Sequence, residues 1–383
     1  MWPSRRAFLS AAAAGTVSTA LTAPSHAQAS ALSAEIDAAA QTALDAGACP
    51  GIAVAIGQRG TPLFVKDYGL ANLETGTRVD SRSVFRIASL TKQFAAVAAL
   101  KLAAKGALSL DEAVLNYLPA FASSERFSVR ELMIHTAGLS DDALGACQAD
   151  RKDPASSLDL AQEIAKQPKL FDFSPGTAWL YSNANYKVLG AVIEQVTGKS
   201  LAVAMAELVT QPLGLGSLAF DTNSAVVSGR VSGYSTADGA SRFKNADHID
   251  ISKAGASGAM RGTAADLVQW HHLLLSGALF DKARVQELVT PGRLRDGRLS
   301  GANRFNPQDA GYGETQYALG LLVSPPTKLG PVVQHYGYIE GFSACLETYT
   351  DHGVTMAVLC NGEVGPHLPF RGIRRAVLAN LSA

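Results

Sequence analysis

Two serines in the 383-residue chain stand three places before a lysine, Ser89 before Lys92 and Ser241 before Lys244. At that spacing on a helix the amine lies one turn from the hydroxyl on the same face, close enough to take its proton for attack on a carbonyl. Context separates the two pairs. Ser241 lies in a polar, glycine-bearing stretch with no apolar periodicity after it, so nothing there fixes its lysine. Ser89 opens the run Leu90–Lys105, in which Leu90, Phe94, Ala95, Val97, Ala98, Leu100 and Leu102 cover nearly every face, so this helix should be buried. Burial lowers the pKa of a lysine, as a general base requires. A helix N-terminus beside Ser89 adds unpaired N–H groups where an oxyanion would form. The same two residues also fit an ordinary N-cap serine and a lysine snorkelling from a core helix.

Other chemistry-bearing patterns are weaker. Gly255-Ala256-Ser257-Gly258-Ala259 nearly matches G-x-S-x-G, but Ala259 stands where the last glycine must relieve crowding, so close backbone packing is the expected reading of Ser257. Gly198-Lys199-Ser200 imitates the end of a phosphate-binding loop, yet the glycine needed five positions before Gly198 is Ile193. His271 and His272, adjacent on a helix, point about 100° apart and make a poor metal pair, expected as partly exposed helix histidines.

The elements that must position Ser89 follow from periodicity. Gly51–Ile56 and Thr61–Gly69 flank a turn-like Gly57–Gly60 and predict a hairpin, and Gly341–Thr350 and Val354–Asn361 predict a second one near the other end. Between them the periodic segments are helical: Leu158–Gln167, Tyr186–Val196 closed by Gly198, Leu201–Val209 and Ala264–Leu275. Strands from both ends should meet in one antiparallel sheet flanked by helices, an α/β lobe from about 30–88 and 325–383. A mainly helical lobe, about 89–324, is inserted between, with a cleft at the junction.

Lys+Arg and Asp+Glu both number 33, and charged residues are 17% of the chain, so no electrostatic footprint for nucleic acid or an anionic membrane exists. Residues 1–29 carry Arg5 and Arg6, no acid, a weakly apolar run from Ala11 to Ala23 and the small residues Ala27-Gln28-Ala29, the pattern of a signal peptide. Ser4-Arg5-Arg6-Ala7-Phe8-Leu9 resembles a twin-arginine export signal, which predicts a periplasmic mature chain, residues 30–383, with no membrane anchor left after cleavage. An oxidising compartment permits disulfides among Cys49, Cys147, Cys345 and Cys360. A two-residue His352-Gly353 loop would make Cys345 and Cys360 direct cross-strand neighbours able to bond, with Cys49 as a competitor for Cys360.

Three ordered motifs carry a family resemblance. Phe85-Arg86-Ile87-Ala88-Ser89-Leu90-Thr91-Lys92 resembles the first signature of the serine β-lactamase and penicillin-recognising family. Tyr181-Ser182-Asn183 is similar to its second, Y-x-N, in the form found in class C β-lactamases and their peptidase and esterase relatives. His335-Tyr336-Gly337 resembles the third, K-T-G or H-x-G. Leu132–Leu139, with His135 read as structural, and Phe173-Ser174-Pro175-Gly176 are family-like phrases between them, and the likeness spans roughly 50–362.

The resemblance implies a serine hydrolase acting on a small-molecule or peptide substrate through an acyl-enzyme on Ser89, with no metal or cofactor. Lys92 and Tyr181 would move protons, the phenol assisted by cations that favour phenolate. Asn183, His335 and Gly337 would hold substrate, and the backbone N–H of Ser89 and of Tyr338 would form the oxyanion hole. His335 stands where a class C β-lactamase has lysine. A histidine titrating near ~6.5 attracts a substrate carboxylate more weakly at neutral pH, which favours D-amino-acid peptides or amides and small esters over β-lactams. The alternative is a cell-wall or β-lactam sensor of the same fold that is acylated without turnover.

Overall fold

The computed structural model describes residues 26–141, 155–236, 243–364 and 369–381. The strands are β1 (Gly51–Gln58), β2 (Thr61–Asn72), β3 (Thr77–Arg78), β4 (Phe85–Arg86), β5 (Ala219–Phe220), β6 (Tyr234–Thr236), β7 (Phe243–Asn245), β8 (Met260–Gly262), β9 (Gln316–Tyr317), β10 (Leu322–Thr327), β11 (Gly330–Ile339), β12 (Phe342–Tyr349) and β13 (Val354–Cys360). Eight of them form one antiparallel sheet in the order β3-β2-β1-β13-β12-β11-β10-β9, so the two ends of the chain meet at the β1–β13 pair. Smaller sheets join β4-β8-β5 and β6-β7. The helices are α1 (His26–Asp45), α2 (Thr91–Ala104), α3 (Val129–Met133), α4 (Ser157–Ala165), α5 (Asn183–Thr197), α6 (Leu201–Met205), α7 (Gly255–Gly258), α8 (Ala264–Leu275), α9 (Lys282–Val289) and α10 (Phe370–Asn380).

The centre of the sheet is buried on both faces, which is why β1 reads as an unbroken apolar run instead of an alternating one. Ile52, Val54 and Ile56 point to one face with Met356 and Val358, under the paired helices α1 and α10. Ala53 and Ala55 point to the other with Ala357 and Leu359, where α8 lies against β1 and β13. Cleavage after Ala29 would remove only the first four residues of α1, leaving its buried Leu32, Ile36, Ala40 and Ala43. Helix α2 is the axis of the helical half: every residue from Thr91 to Leu100 is buried, as its all-round apolar sequence requires, and Phe94 stacks on Trp270 at 4.1 Å. Ser128 and Ser156 begin α3 and α4 with capping boxes through Glu131 and Asp159. Among the described residues no single helix is long and apolar enough to cross a membrane.

The second hairpin departs from the sequence expectation. Tyr349 pairs with Val354 across four loop residues, so Cys345 lies opposite Val358 and Cys360 opposite Ser343. The expected Cys345–Cys360 cross-strand pair is therefore not formed, because the turn takes in Thr350 and Asp351 as well as His352 and Gly353. Cys49, Cys345 and Cys360 are buried free thiols, and Cys49 lies near enough to Cys360 to help raise its pKa. Cys147 lies outside the described residues.

Candidate active site

The segment that presents Ser89 is a tight turn held from three sides. Strand β4 pairs with β8, then a 3-10 turn over Ala88–Leu90 feeds directly into α2. Ala88 is buried at φ +47°, a left-handed conformation that costs a non-glycine residue about 1–2 kcal/mol. The surroundings enforce it. Ile87 N donates to Met260 O at 3.0 Å, and Thr91 Oγ1 donates to Ala88 O at 2.7 Å while accepting from Met260 N at 3.0 Å. Strand β11 passes against the same turn. A Cβ on Gly337 would stand 2.3 Å from Ile87 O and 3.1 Å from Ala88 Cβ, so only glycine lets the strand approach the Ser89 turn this closely.

Lys92 is the second residue of α2 and is fully buried. Its Nζ donates to Ser89 Oγ at 3.0 Å, to Asn183 Oδ1 at 2.8 Å and to the backbone carbonyl of Ser257 at 2.8 Å. Burial lowers its pKa to about 7, with Asp141 opposing the shift and Lys187 adding to it. When the amine is neutral it keeps two N–H donors and one lone pair. The Asn183 and Ser257 oxygens can only accept, so they take the donors and leave the lone pair for the Ser89 hydroxyl. The arrangement can take a proton from Ser89 near neutral pH.

Tyr181 and Asn183 lie at the start of α5, with the Tyr181 phenol near Ser89. Lys92 Nζ lies 4.7 Å from the centre of the Tyr181 ring. The expected phenolate is not supported: desolvation pushes the Tyr181 pKa upward and outweighs the opposing influence of the nearby Ser89 hydroxyl, so the group stays a phenol at neutral pH. The Tyr181 ring packs at 4.4 Å on His135, a buried residue at φ +61° whose Nδ1 accepts from Ser182 N at 3.2 Å. Burial, then the charge of Lys92, keeps His135 neutral, in keeping with a structural role.

His335 is 2% exposed, and both ring nitrogens are engaged. Nδ1 donates to the Tyr336 carbonyl at 2.7 Å, which leaves Nε2 to accept from the Tyr317 hydroxyl at 3.0 Å. Burial and the neighbouring Lys92 push its pKa down to about 3. The titration near ~6.5 expected of His335 therefore gives way to an imidazole that stays neutral at physiological pH. It is a neutral anchor for Tyr317, which packs on His135, Trp179 and Tyr181.

Ser89, Lys92 and Asn183, 94 residues apart at the extremes, are thus hydrogen-bonded through the Lys92 amine, which also lies over the Tyr181 ring, and Gly337 packs against the Ser89 turn from the adjoining strand. Ser257 joins the site in an unexpected way: its hydroxyl donates to Ala254 O at 2.6 Å, while its carbonyl holds Lys92. Asp141, whose Oδ2 accepts from Asn183 Nδ2 at 3.2 Å, and Tyr317 were not legible in the sequence, since neither lies within a motif. Ser241 lies outside the described residues. His271 is buried, not partly exposed, between Thr348 Oγ1 at 2.8 Å and Gln93 Oε1 at 2.9 Å, whereas His272 is half-buried.

Esterase EstB of Burkholderia gladioli is 35% identical over 208 residues, 50% of this chain and 52% of the esterase. Penicillin-binding protein 4* of Bacillus subtilis (strain 168) is 26% identical over 322 residues, 79% of this chain and 66% of that protein. The aligned regions thus cover about half to two thirds of these relatives' lengths. The solved structure of a D-stereospecific amidohydrolase from Streptomyces sp. superposes with a TM-score of 0.73 at 25% identity, over 90% of this chain and 97% of that one. The model of the family described as Beta-lactamase matches residues 36–381, a span that takes in the Ser89 turn, the Tyr181–Asn183 turn, β11 and both edges of the large sheet. By that match the chain belongs to the Beta-lactamase family.

Proposed function

We propose that this chain is an exported serine hydrolase. Ser89 gives its proton to the Lys92 amine as Oγ attacks an amide or ester carbonyl. The tetrahedral oxyanion forms between the backbone N–H groups of Ser89 and Tyr338. Its collapse expels the amine or alcohol, which takes a proton through Tyr181. Water then attacks the acyl-enzyme, Ser89 Oγ leaves, and the carboxylic acid is released. The observation that carries the reading is the contact of Lys92 with Ser89 at 3.0 Å, with both other partners of the amine being oxygens that only accept.

D-amino-acid amides or peptides and small esters are favoured over β-lactams. Neutral His335 offers no charge to a substrate carboxylate, and the relatives include proteins named an esterase and a D-stereospecific amidohydrolase. Residues 1–29 act as a twin-arginine leader that delivers the protein to the periplasm. Steady-state assays of purified protein with a short-chain nitrophenyl ester, a D-alanyl amide and a chromogenic β-lactam test the substrate ranking. Turnover of the first two with slow β-lactam hydrolysis is expected. Efficient β-lactam hydrolysis at neutral pH contradicts the ranking, and one equivalent of bound acyl group without turnover contradicts the hydrolase.

A further inference from the structure

Asn183 can hold Lys92 correctly in only one of its two amide orientations, and a residue outside every motif selects it. Asp141 Oδ1 accepts from Ser182 Oγ at 2.7 Å and from Ala184 N at 3.0 Å, and its Oδ2 accepts from Asn183 Nδ2 at 3.2 Å. A carboxylate has no donor, so the NH2 end of the amide must face it and Oδ1 must face Lys92. Were the amide reversed, its NH2 would compete with the Ser89 hydroxyl for the single lone pair of the neutral amine, and the base would be blocked.

We propose, resting on the reading of Ser89 as nucleophile, that Asp141 is a positioning residue of this centre: its carboxylate locks the Asn183 amide so that the Lys92 lone pair points at the Ser89 hydroxyl. It acts through Asn183 and touches neither substrate nor the reacting atoms. The carboxylate also enters the electrostatics of Lys92. The groups facing that amine are the charged Asp141 and Lys187, the phenols of Tyr181 and Tyr186, and the imidazoles of His135 and His335. Burial lowers both imidazole pKa values and raises both phenol values, so these four groups are uncharged near neutral pH. Asp141 is thus the counter-charge that opposes burial and Lys187 at Lys92. Removing it should let the lysine deprotonate at lower pH.

Asp141→Asn in the full chain separates positioning from mere helix capping, because its amide oxygen can still accept from Ser182 and Ala184. It places a second NH2 opposite that of Asn183. With a neutral nitrophenyl ester, kcat should fall on the order of 10²-fold with KM little changed, the effect of a misdirected reacting group. The acid limb of kcat/KM should move to lower pH, and Asp141→Glu, which keeps the charge, should return the limb to its original position. An unchanged limb and kcat in Asp141→Asn overturns the proposal. So does a loss confined to KM, or failure of both variants to fold, since each leaves Asp141 as a cap of α5 alone. Labelling of the unmodified protein with a fluorophosphonate is read alongside. Absence of a Ser89 adduct there overturns the nucleophile assignment and with it the role of Asp141, whereas a labelled Ser89 with limb and kcat both unchanged in Asp141→Asn overturns the role alone.

Discussion

Lys92 must be neutral before it can take a proton from Ser89, and burial sets where that happens. With its pKa lowered to about 7, the unprotonated fraction falls tenfold for each unit of pH below that value, so kcat/KM should lose activity along an acid limb near neutrality. His335, neutral down to about 3, adds no charge in that range. Carboxylate-bearing and neutral substrates should accordingly show the same acid limb. An additional loss of activity on carboxylate-bearing substrates alone, as pH rises through 5–7, would restore His335 as a cation. The residues proposed to do the chemistry were largely legible because they sit in short motifs with a mechanical reason for their spacing. The Ser257 carbonyl was not, since a backbone atom has no residue-type signature. Asp141 was not either, being 42 positions from Asn183 and joined to it only by the fold.

At the scale of elements, the site depends on β11 lying hard against the Ser89 turn. Gly337→Ala would put a methyl group 2.3 Å from the Ile87 carbonyl, so strand and turn must separate. We expect a loss of kcat on the order of 10²-fold with folding retained, measured as kcat beside a circular-dichroism spectrum. An active Gly337→Ala would show that the close approach is dispensable. Strand β4 is tied down from its other side. Asp221, its side chain 2% exposed, faces Arg86 Nε at 2.9 Å, Arg230 Nη2 at 2.7 Å and Arg261 Nε at 3.4 Å beside a cavity of about 280 Å³. Asp221→Asn removes the carboxylate that these three cations share, and because the guanidiniums remain partly solvated the expected cost is about 2–4 kcal/mol, read by urea unfolding. A change below about 0.5 kcal/mol, the size of an ordinary surface substitution, would mean that the cluster does not anchor β4. Periodicity placed both hairpins and helices such as Ala264–Leu275 correctly, because apolar spacing records the buried face. It could not fix the register of β12 on β13, which depends on how many residues the turn consumes, and there the Cys345–Cys360 pairing failed.

Across the whole molecule, the polar groups sealed in the core set its response to acid. His271 and His335 both have pKa values lowered to about 3 by burial, against about 6.5 in an unfolded chain. Between those limits the unfolded chain binds the extra protons. Their contribution is therefore intact above about pH 6.5 and declines as pH falls, by up to about 1.4 kcal/mol per histidine per pH unit. Thermal unfolding across pH 4–7 should show Tm dropping toward acid, and His271→Gln should flatten part of the slope. A Tm independent of pH, or an unchanged slope in the variant, would contradict the buried neutral imidazole. The α/β architecture was readable from strands at both chain ends, whereas the pairing of α1 with α10 over the sheet was not, because each helix's apolar stripe names no partner.

The central claim, that Lys92 activates Ser89 and no other serine, is tested most directly by peptide mass spectrometry of the full protein after reaction with a fluorophosphonate, run beside Lys92→Met. A single adduct on Ser89 is expected, with labelling slowed on the order of 10³-fold or more in Lys92→Met while that variant keeps its fold. An adduct on Ser241 or Ser257, or Ser89 labelling at an undiminished rate without Lys92, would contradict it.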